Sequence, residues 1–184
     1  SLNAFVKDHQ ESRIFIFGFT FMIYKHFIKE LQKKKIKLDL SNAVLIHGGG
    51  WKKLESQSIS SVEFKKVLNN LTGIKSVFDY YGMVEQTGAI CMECEYGHLH
   101  TSIFSDIIIR RPYDFSVAEI GEIGIIQTVS ILPKSYPGHS LLTEDEGILL
   151  GEDDCQCGRL GKYFKVIGRL NNAEIRGCSD TYAS

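Results

Sequence analysis

Between residues 42 and 82 the sequence has the pattern of a strand, a helix and a second strand, and this order limits the folds that the chain can adopt. The segment "NAVLIHGGGWK" begins with a continuous apolar run, typical of a buried strand, and enters a glycine-rich turn. "SSVEFKKVLNNLTG" predicts a helix, because Ser60 and Glu63 have capping-box spacing and Gly73 can supply a left-handed cap. "IKSVFDYYG" predicts a second short strand ending at Gly82. Two strands joined by a helix favour a partly parallel sheet with helices.

Strand patterns dominate the remainder of the chain. One further helix is predicted over residues 19–34, with five apolar residues on one face: Phe19, Ile23, Phe27, Ile28 and Leu31. "DIIIRRP" and "EIGIIQTVSIL" predict strands, and "YFKVIGRLNNAEIRGCSDTYAS" predicts two short segments separated at Gly168-Arg169. The fold class predicted is therefore α/β, with a partly parallel sheet followed by a strand-rich, antiparallel subdomain.

Composition and charge exclude several classes of protein. Hydrophobic residues make up 43% and charged residues 23%, as in a soluble globular chain. The formal net charge is −1, and no basic run is interleaved with aromatic residues, so no nucleic-acid partner is expected. The most apolar stretch, residues 14–28, contains Lys25 and His26 and is too short for a membrane span. No signal peptide is expected, and five cysteines, an odd number, favour a reducing, cytoplasmic setting.

A group of cysteine and histidine residues has the spacing of a metal site. Cys94 and His100 lie close together, and Cys155 and Cys157 form a Cys-x-Cys pair further along the chain. Zinc favours four thiolate and imidazole ligands, so these four residues predict a closed, structural zinc site. Cys91 and His98 are reserve ligands, and the alternative is buried free cysteines beside exposed histidines.

The stretch "FDYYGMVEQTG", residues 78–88, has the residue types of a nucleotide site. Tyr80 or Tyr81 could stack on a base, and Asp79 could accept a hydrogen bond from an amino group. Glu85 is a carboxylate of the kind that holds a hard cation such as magnesium. The alternative is a strand-to-helix turn with a capping residue.

Two later segments carry polar residues that suit a nucleotide. In "SLLTEDEG", Asp145 follows a strand-like run, and an acidic residue at a strand end can bind ribose hydroxyls. In "VIGRLNNAEIRG", Arg169 follows a glycine, and its guanidinium suits a ribose or phosphate. Each segment is also compatible with an ordinary turn.

Taken together, these segments resemble one superfamily. The motifs are "HGGGWKKLE", "YGMVEQTG", "ECEYGHLH", "LLTEDEG", "CQCGRLGK" and "GRLNNAEIRGCSDTYA". In this order they resemble the C-terminal half of adenylate-forming, acyl-activating enzymes, and more closely the acyl-protein synthetases of bacterial luminescence systems (LuxE type). The motifs cover nearly everything after residue 41. Coenzyme A ligases of the phenylacetate ligase type share the Cys-x-Cys-Gly-Arg segment and are the nearest alternative.

The resemblance implies ATP and Mg²⁺ as cofactors and a role for each candidate residue. Asp79 and one of Tyr80 or Tyr81 would contact adenine, and Glu85 would bind magnesium. Asp145 would bind the ribose hydroxyls. The resemblance also places three glycines against the acyl-adenylate: Gly48, Gly49 and Gly50. His47, just before them, either touches substrate or packs at the strand end.

The resemblance also implies a domain boundary and an acyl acceptor. Residues 1–167 would belong to the large adenylation domain. Residues 168–184 would form a hinge, which includes Arg169, and the start of a small C-terminal segment. Cys178, beside Arg176, would capture an activated long-chain fatty acid and pass it to a fatty acyl reductase partner. A cysteine thiolate is a good nucleophile towards a mixed anhydride.

Two departures from the superfamily pattern limit what the chain does alone. The hinge position two residues after Arg169 is Asn171 where an aspartate is usual. The Ser/Thr/Gly-rich loop that cradles ATP phosphates is absent, so the chain is expected to be a fragment that makes no adenylate alone. Two alternatives stay open: coenzyme A as acyl acceptor, and a zinc-stabilised domain without chemistry of its own.

Overall fold

The computed structural model describes residues 2–51 and 58–170. The chain divides into two compact units, Ser1–Asp79 (unit 1) and Tyr80–Ser184 (unit 2). None of the helices among the described residues is long and apolar enough to cross a membrane.

Unit 1 combines two parallel strands with helices. Strands β1 and β2 pair in parallel, from Ile14 opposite Ala43 to Phe19 opposite Gly48, and β3 follows β2 in the strand order. The elements in chain order are α1 (Leu2–Asp8), β1 (Ile14–Phe19), α2 (Thr20–Met22), a π-helical segment (Ile23–Ile28), α3 (Lys29–Lys34), β2 (Ala43–Gly48), α4 (Ser61–Thr72) and β3 (Ser76–Met83). A partly parallel sheet was predicted here, and the parallel pair described is β1 with β2, of which only β2 was predicted.

Helix α4 forms as its sequence predicts. The Ser60 hydroxyl accepts a hydrogen bond from the Glu63 backbone N–H at 3.2 Å, which satisfies one free donor at the helix start. Gly73 ends the helix with a φ of 73°, a left-handed conformation that glycine adopts without strain. Phe64 and Leu68 point into the core of unit 1 and are 1% and 0% exposed.

The helix predicted over residues 19–34 begins one residue later, at Thr20, and contains the π-helical segment. Strand β1, immediately before it, was not predicted. Its residues are almost all apolar, yet Phe15 and Phe17 are 65% and 60% exposed. The hydrophobic pattern therefore lacks the polar outer face that distinguishes a half-buried strand.

Unit 2 is antiparallel throughout its described strands. In space the strands follow the order β3-β4-β5-β9-β8-β7-β6. Beyond β3 they are β4 (Gln86–Glu93), β5 (Leu99–His100), β6 (Ser105–Arg110), β7 (Ile123–Ser130), β8 (Ser140–Glu152) and β9 (Lys162–Arg169). The largest core cluster of this unit consists of Cys91, Leu99, Ile107, Ile109, Ala118, Ile126 and Phe164. The predicted fold class is confirmed: the chain is mixed α/β, with strands predominating.

One expectation about β8 was wrong. Asp145 was expected at a strand end, but it lies inside the thirteen-residue strand Ser140–Glu152, opposite Arg169 of β9. The ladder register shifts immediately after this pair, between Glu146 and Gly147. Such an irregularity re-aims neighbouring side chains and is frequent beside functional sites.

The boundary predicted between residues 167 and 168 stays a prediction. Strand β9 runs through that point to Arg169. Residues 171–184, including Asn171, Arg176 and Cys178, lie outside the described residues.

Candidate functional site

Tyr81 and Asp145 meet within unit 2, although 64 residues separate them in the sequence. The Tyr81 hydroxyl donates a hydrogen bond to Asp145 Oδ2 at 2.9 Å. The Tyr81 ring lies edge-on against Phe164, with ring centroids 5.9 Å apart and planes at 85°. Phe164 is fully buried, so the tyrosine ring is anchored on the core and directs its hydroxyl at the carboxylate.

Arg169 completes this group on the other side of the carboxylate. Its Nε lies 3.5 Å from Asp145 Oδ1, and its Nη2 donates to Glu144 Oε2 at 2.7 Å. The pairing of β8 with β9 places Arg169 directly opposite Asp145. The two sequence-predicted residues Asp145 and Arg169 are therefore neighbours, and Glu144 is a partner that sequence reasoning missed.

The electrostatics of this group keep the phenol neutral. Burial raises the pKa of Tyr81 well above its ordinary value, and the nearby Asp145 charge raises it further. The tyrosine is thus a hydrogen-bond donor across the physiological pH range. The Asp145 side chain retains 24% exposure, so part of the carboxylate faces solvent and can accept further hydrogen bonds.

Tyr80 and Tyr81 are consecutive residues of β3 and have different surroundings. In the β3–β4 ladder, Tyr80 pairs with Met92 and Tyr81 with Cys91. Successive side chains of a strand point to opposite faces of the sheet. Only one of the two tyrosines can therefore share a face with Asp145, and that residue is Tyr81.

Glu85 lies in a tight hairpin turn, not in a turn leading to a helix. Val84 and Glu85 form the two-residue connection between β3 and β4, where Met83 pairs with Gln86. The Glu85 side chain is exposed, and its backbone carbonyl accepts a hydrogen bond from the Tyr136 hydroxyl. Gln86 was not singled out in the sequence, yet its side chain is fully buried.

The glycines after β2 belong to unit 1. Gly48 is the last residue of β2, and Gly49 has a φ of 77°, which side chains rarely tolerate. A Cβ atom added to Gly50 would have no neighbour within 4 Å. The backbone of Gly49 requires glycine, whereas the space at Gly50 is open.

His47 is packed beside these glycines, which favours the second of its two interpretations. Its ring is 3% exposed and lies 4.7 Å from the Phe64 ring, centroid to centroid. The His47 Nδ1 is 2.9 Å from the Thr20 hydroxyl and 3.7 Å from Asp79 Oδ1. The Asp79 side chain is 42% exposed, so the predicted adenine-contacting carboxylate is accessible and is held by a buried neighbour.

A second cluster in unit 2 brings together the four residues predicted to hold zinc. The ligand atoms of Cys94, His100, Cys155 and Cys157 all lie within 4.8 Å of one another. His100 Nε2 is 3.4 Å from Cys157 Sγ. Ligands at about 2.1 and 2.3 Å from a tetrahedral zinc are about 3.6 Å apart, so the donor set and its spacing fit the metal.

The surroundings of the cluster suit bound metal. The backbone N–H of Arg159 donates to Cys157 Sγ at 3.5 Å. Burial alone would raise the pKa of the Cys157 thiol. The hydrogen bond from the Arg159 N–H and the interactions with Cys155 and Cys94 have a larger, opposite effect, so the pKa is lowered. Burial lowers the pKa of His100, which favours the neutral imidazole that a metal requires.

The two reserve residues differ in position. His98 Nδ1 lies 3.3 Å from Cys155 Sγ, and its ring stacks on Tyr163 with centroids 5.0 Å apart. His98 thus contacts a candidate ligand from outside the set of four. Cys91 is fully buried in the apolar core of unit 2 and faces Tyr81 across the ladder.

Comparison with known proteins places the chain in a family. The family model for acyl-protein synthetase, LuxE, matches residues 2–184. The chain belongs to the LuxE acyl-protein synthetase family. It is 26% identical over 145 residues to the long-chain-fatty-acid–luciferin-component ligase of Aliivibrio fischeri, covering 76% of this chain and 37% of that protein.

Solved structures show the same fold at low identity. The chain is similar to 2-hydroxyisobutyryl-CoA ligase, solved with 2-HIB-AMP and CoA, with a TM-score of 0.70 and 17% identity, covering 93% of this chain and 36% of that one. It is similar to ATP-bound MatB from Rhodopseudomonas palustris, with a TM-score of 0.59 and 14% identity, covering 92% and 33%. Both are adenylate-forming ligases in fold. The LuxE-family chain spans about a third of the length of each relative it matches.

Proposed function

We propose that this LuxE-family chain supplies the ribose-binding and adenine-binding side of a fatty acid-activating site. The observation that carries the proposal is that the Asp145 carboxylate accepts a hydrogen bond from Tyr81 and forms an ion pair with Arg169. A carboxylate between a neutral donor and a guanidinium, with part of its surface accessible, suits the two hydroxyls of a ribose. The family resemblance assigns further roles residue by residue: Asp79 would contact adenine, Glu85 would bind magnesium, and the glycines after β2 would contact the acyl-adenylate.

The activity proposed is that of an AMP-forming acyl-protein synthetase. A long-chain fatty acid carboxylate would attack the α-phosphorus of Mg²⁺-bound ATP, forming acyl-AMP and releasing pyrophosphate. The Cys178 thiolate would then attack the acyl carbonyl, forming a thioester and releasing AMP. A fatty acyl reductase is the proposed recipient of that acyl group, and the cytoplasm is the proposed setting.

The residues described here would act by positioning and charge. Arg169 neutralises the acidic pair Glu144 and Asp145, so that the carboxylates can face a ligand without mutual repulsion. The Tyr80 side chain lies on the face of β3 opposite to that of Tyr81. Magnesium would supply charge neutralisation of the phosphates, and Glu85 is the residue that would hold it.

The zinc proposed for Cys94, His100, Cys155 and Cys157 has a structural role. Four protein ligands leave no open position for substrate. The metal would connect the segment after β4 to the segment after β8, and no step of the reaction involves it.

The test uses the complete polypeptide that carries this chain, because the chain covers 37% of its Aliivibrio fischeri relative. The protein is incubated with ATP, Mg²⁺ and a long-chain fatty acid, and acylated peptides are located by mass spectrometry. An ATP-dependent, hydroxylamine-labile adduct on Cys178 is expected. The Cys178→Ser variant should form acyl-AMP but carry no adduct.

Other outcomes separate the alternatives. Adenylate formation without a protein adduct, followed by transfer to added coenzyme A, would replace the proposal with a coenzyme A ligase. Zinc binding without adenylate formation would support the non-catalytic, zinc-stabilised domain.

A further inference from the structure

We propose that His98 is a positioning residue of the proposed zinc site: its imidazole donates a hydrogen bond to the Cys155 thiolate and so strengthens metal binding without being a ligand. This inference rests on the zinc part of the proposed function and adds a residue to it. In the sequence His98 is a reserve ligand, two residues before His100. The contacts around its ring decide between the two roles.

Backbone and ring contacts hold His98 beside the cluster. The backbone N–H of Cys94 donates to the His98 carbonyl at 2.8 Å, which joins His98 to one of the proposed ligands. His100 pairs with Tyr163 across the β5–β9 ladder. Both imidazole rings stack on the Tyr163 ring, with centroids 5.0 Å away for His98 and 5.6 Å away for His100. The Tyr163 ring therefore fixes the orientation of both histidines.

The His98 nitrogen that faces the cluster contacts a sulfur atom. His98 Nδ1 lies 3.3 Å from Cys155 Sγ, a hydrogen-bond distance for a sulfur acceptor. A metal-bound cysteine is a thiolate without a proton, so the imidazole N–H is the donor when the site is loaded. His98 is outside the group of four residues whose ligand atoms lie within 4.8 Å of one another, and that group already completes a tetrahedral shell.

The charge of the site explains what this donor contributes. Three bound thiolates carry more negative charge than Zn²⁺ neutralises, and a neutral histidine ligand adds none. Hydrogen bonds to the sulfur atoms disperse the excess. The Arg159 backbone N–H donates to Cys157 Sγ at 3.5 Å, and His98 does the same for Cys155, which is 6% exposed and therefore poorly hydrated. Residues that hold metal ligands in this way change metal affinity about 10–100-fold.

The test measures metal binding in the complete polypeptide. Metal-free protein is prepared with a chelator, and its dissociation constant for zinc is measured by competition with a chromophoric chelator. His98→Phe keeps an aromatic ring beside Tyr163 and removes the N–H donor, so its dissociation constant should rise at least about tenfold. His98→Asn loses the ring but keeps an N–H donor of similar reach, and it should recover most of the lost affinity.

Cobalt gives a second measurement that does not depend on affinity. Co²⁺ accepts the same thiolate and imidazole ligands, and its thiolate-to-metal charge-transfer band reports the energy of the sulfur electrons. A hydrogen bond lowers that energy, so His98→Phe should shift the band to longer wavelength. The ligand-field bands of tetrahedral cobalt should keep their intensity, because the four ligands are unchanged.

His139→Phe is the matched control for both measurements. It makes the same change at an exposed histidine of unit 2 that lies outside the cluster. Its zinc affinity and its cobalt spectrum should equal those of the unsubstituted protein.

Three results would overturn the positioning role and leave the zinc site in place. The first is an unchanged affinity and spectrum in His98→Phe. The second is an equal loss of affinity in His98→Phe and His98→Asn without a shift of the charge-transfer band, which would indicate packing alone. The third is loss of the tetrahedral cobalt spectrum in His98→Phe with its retention in His100→Phe, because His98 would then be the ligand.

A complete polypeptide that binds no zinc at this cluster would overturn the zinc proposal and this inference together. Fatty acid activation would be unaffected by that result, because the acyl adduct on Cys178 tests it separately.

Discussion

The side-chain amide of Gln86 donates a hydrogen bond to the backbone carbonyl of Gly138 at 2.6 Å. This contact joins the first residue of β4 to the loop between β7 and β8. The same loop provides the Tyr136 hydroxyl that binds the carbonyl of Glu85. The hairpin turn carrying the proposed magnesium ligand is therefore held by a loop about fifty residues away in the sequence.

Gln86→Leu should destabilise the protein by about 1–3 kcal/mol, because the buried Gly138 carbonyl loses its donor. Urea unfolding of the complete polypeptide measures the change. Gln32→Leu, at an exposed helix position, is the matched control and should alter stability by less than about 0.5 kcal/mol. Equal effects of the two substitutions would contradict a role for the buried amide.

One zinc ion per chain is expected, bound through Cys94, His100, Cys155 and Cys157. Cys155→Ser should reduce the zinc content. Removing the metal with a chelator should lower Tm by about 2–4 °C for each kcal/mol of stability lost. Cys91→Ser should retain the metal because Cys91 lies in the apolar core. Metal loss in Cys91→Ser with retention in Cys155→Ser would reverse the assignment. Elemental analysis gives the metal content.

The thiol of Cys91 should be inert in the folded protein. Burial raises its pKa to about 12, so almost no thiolate is present near neutral pH. Iodoacetamide at pH 8, followed by peptide mass spectrometry, should label Cys91 only after unfolding in urea. Labelling at similar rates in folded and unfolded protein would show that the position is accessible.

The Arg111–Glu122 pair should make stability pH-dependent in acid. The Arg111 guanidinium, donating to Glu122 at 2.6 Å, lowers the pKa of the Glu122 carboxyl below its unfolded value. The stabilisation is present above the unfolded pKa and is lost as pH falls through the folded pKa. Glu122→Gln should therefore reduce stability at pH 7 and make little difference at pH 3. Urea unfolding at both pH values, with Glu11→Gln as an exposed control, checks the sign.

Gly49→Ala and Gly50→Ala should have different consequences. Gly49 has a φ of 77°, so alanine there should cost about 1–2 kcal/mol of stability. Gly50 has open space, so alanine should leave Tm unchanged. If this loop lies against the acyl-adenylate, Gly50→Ala should still lower kcat/KM in acyl-AMP formation. A substitution without effect on either quantity would remove Gly50 from the site.

The parts of the fold predicted from sequence were those with local signals. Helix α4 has its own cap residues, Ser60 and Gly73, and β2 is a short apolar run between turn residues. Strand β1 was missed because it exposes phenylalanines. Only the first residues of β8 were predicted as strand-like, because the polar residues of "TEDEG" are typical of a turn. In β8 the pairing with β7 and β9 outweighs the local preference, which a single segment does not reveal.

Some residues of the candidate site could also be predicted from the sequence, and others could not. Residues with distinctive chemistry, such as Asp145 and the Cys-x-Cys pair, could be selected from the sequence. Their partners could not, because the contacts of Thr20 with His47 and of Tyr136 with Glu85 join distant segments. Hydroxyl residues are common in any chain, and only the folded arrangement shows which of them hold a neighbour.

The cysteine–histidine cluster also bears on how the chain reaches its fold. Cys94 and Cys155 enclose a stretch of sequence that includes β6, β7 and β8, whose pairings are between consecutive strands. Such local hairpins form quickly, whereas bringing the two ends of a long loop together is entropically slow. A metal ion captured by the cluster would hold those ends together. The zinc available during synthesis would then determine how much of the protein reaches its native fold. This effect is separate from the effect of zinc on the stability of the folded protein.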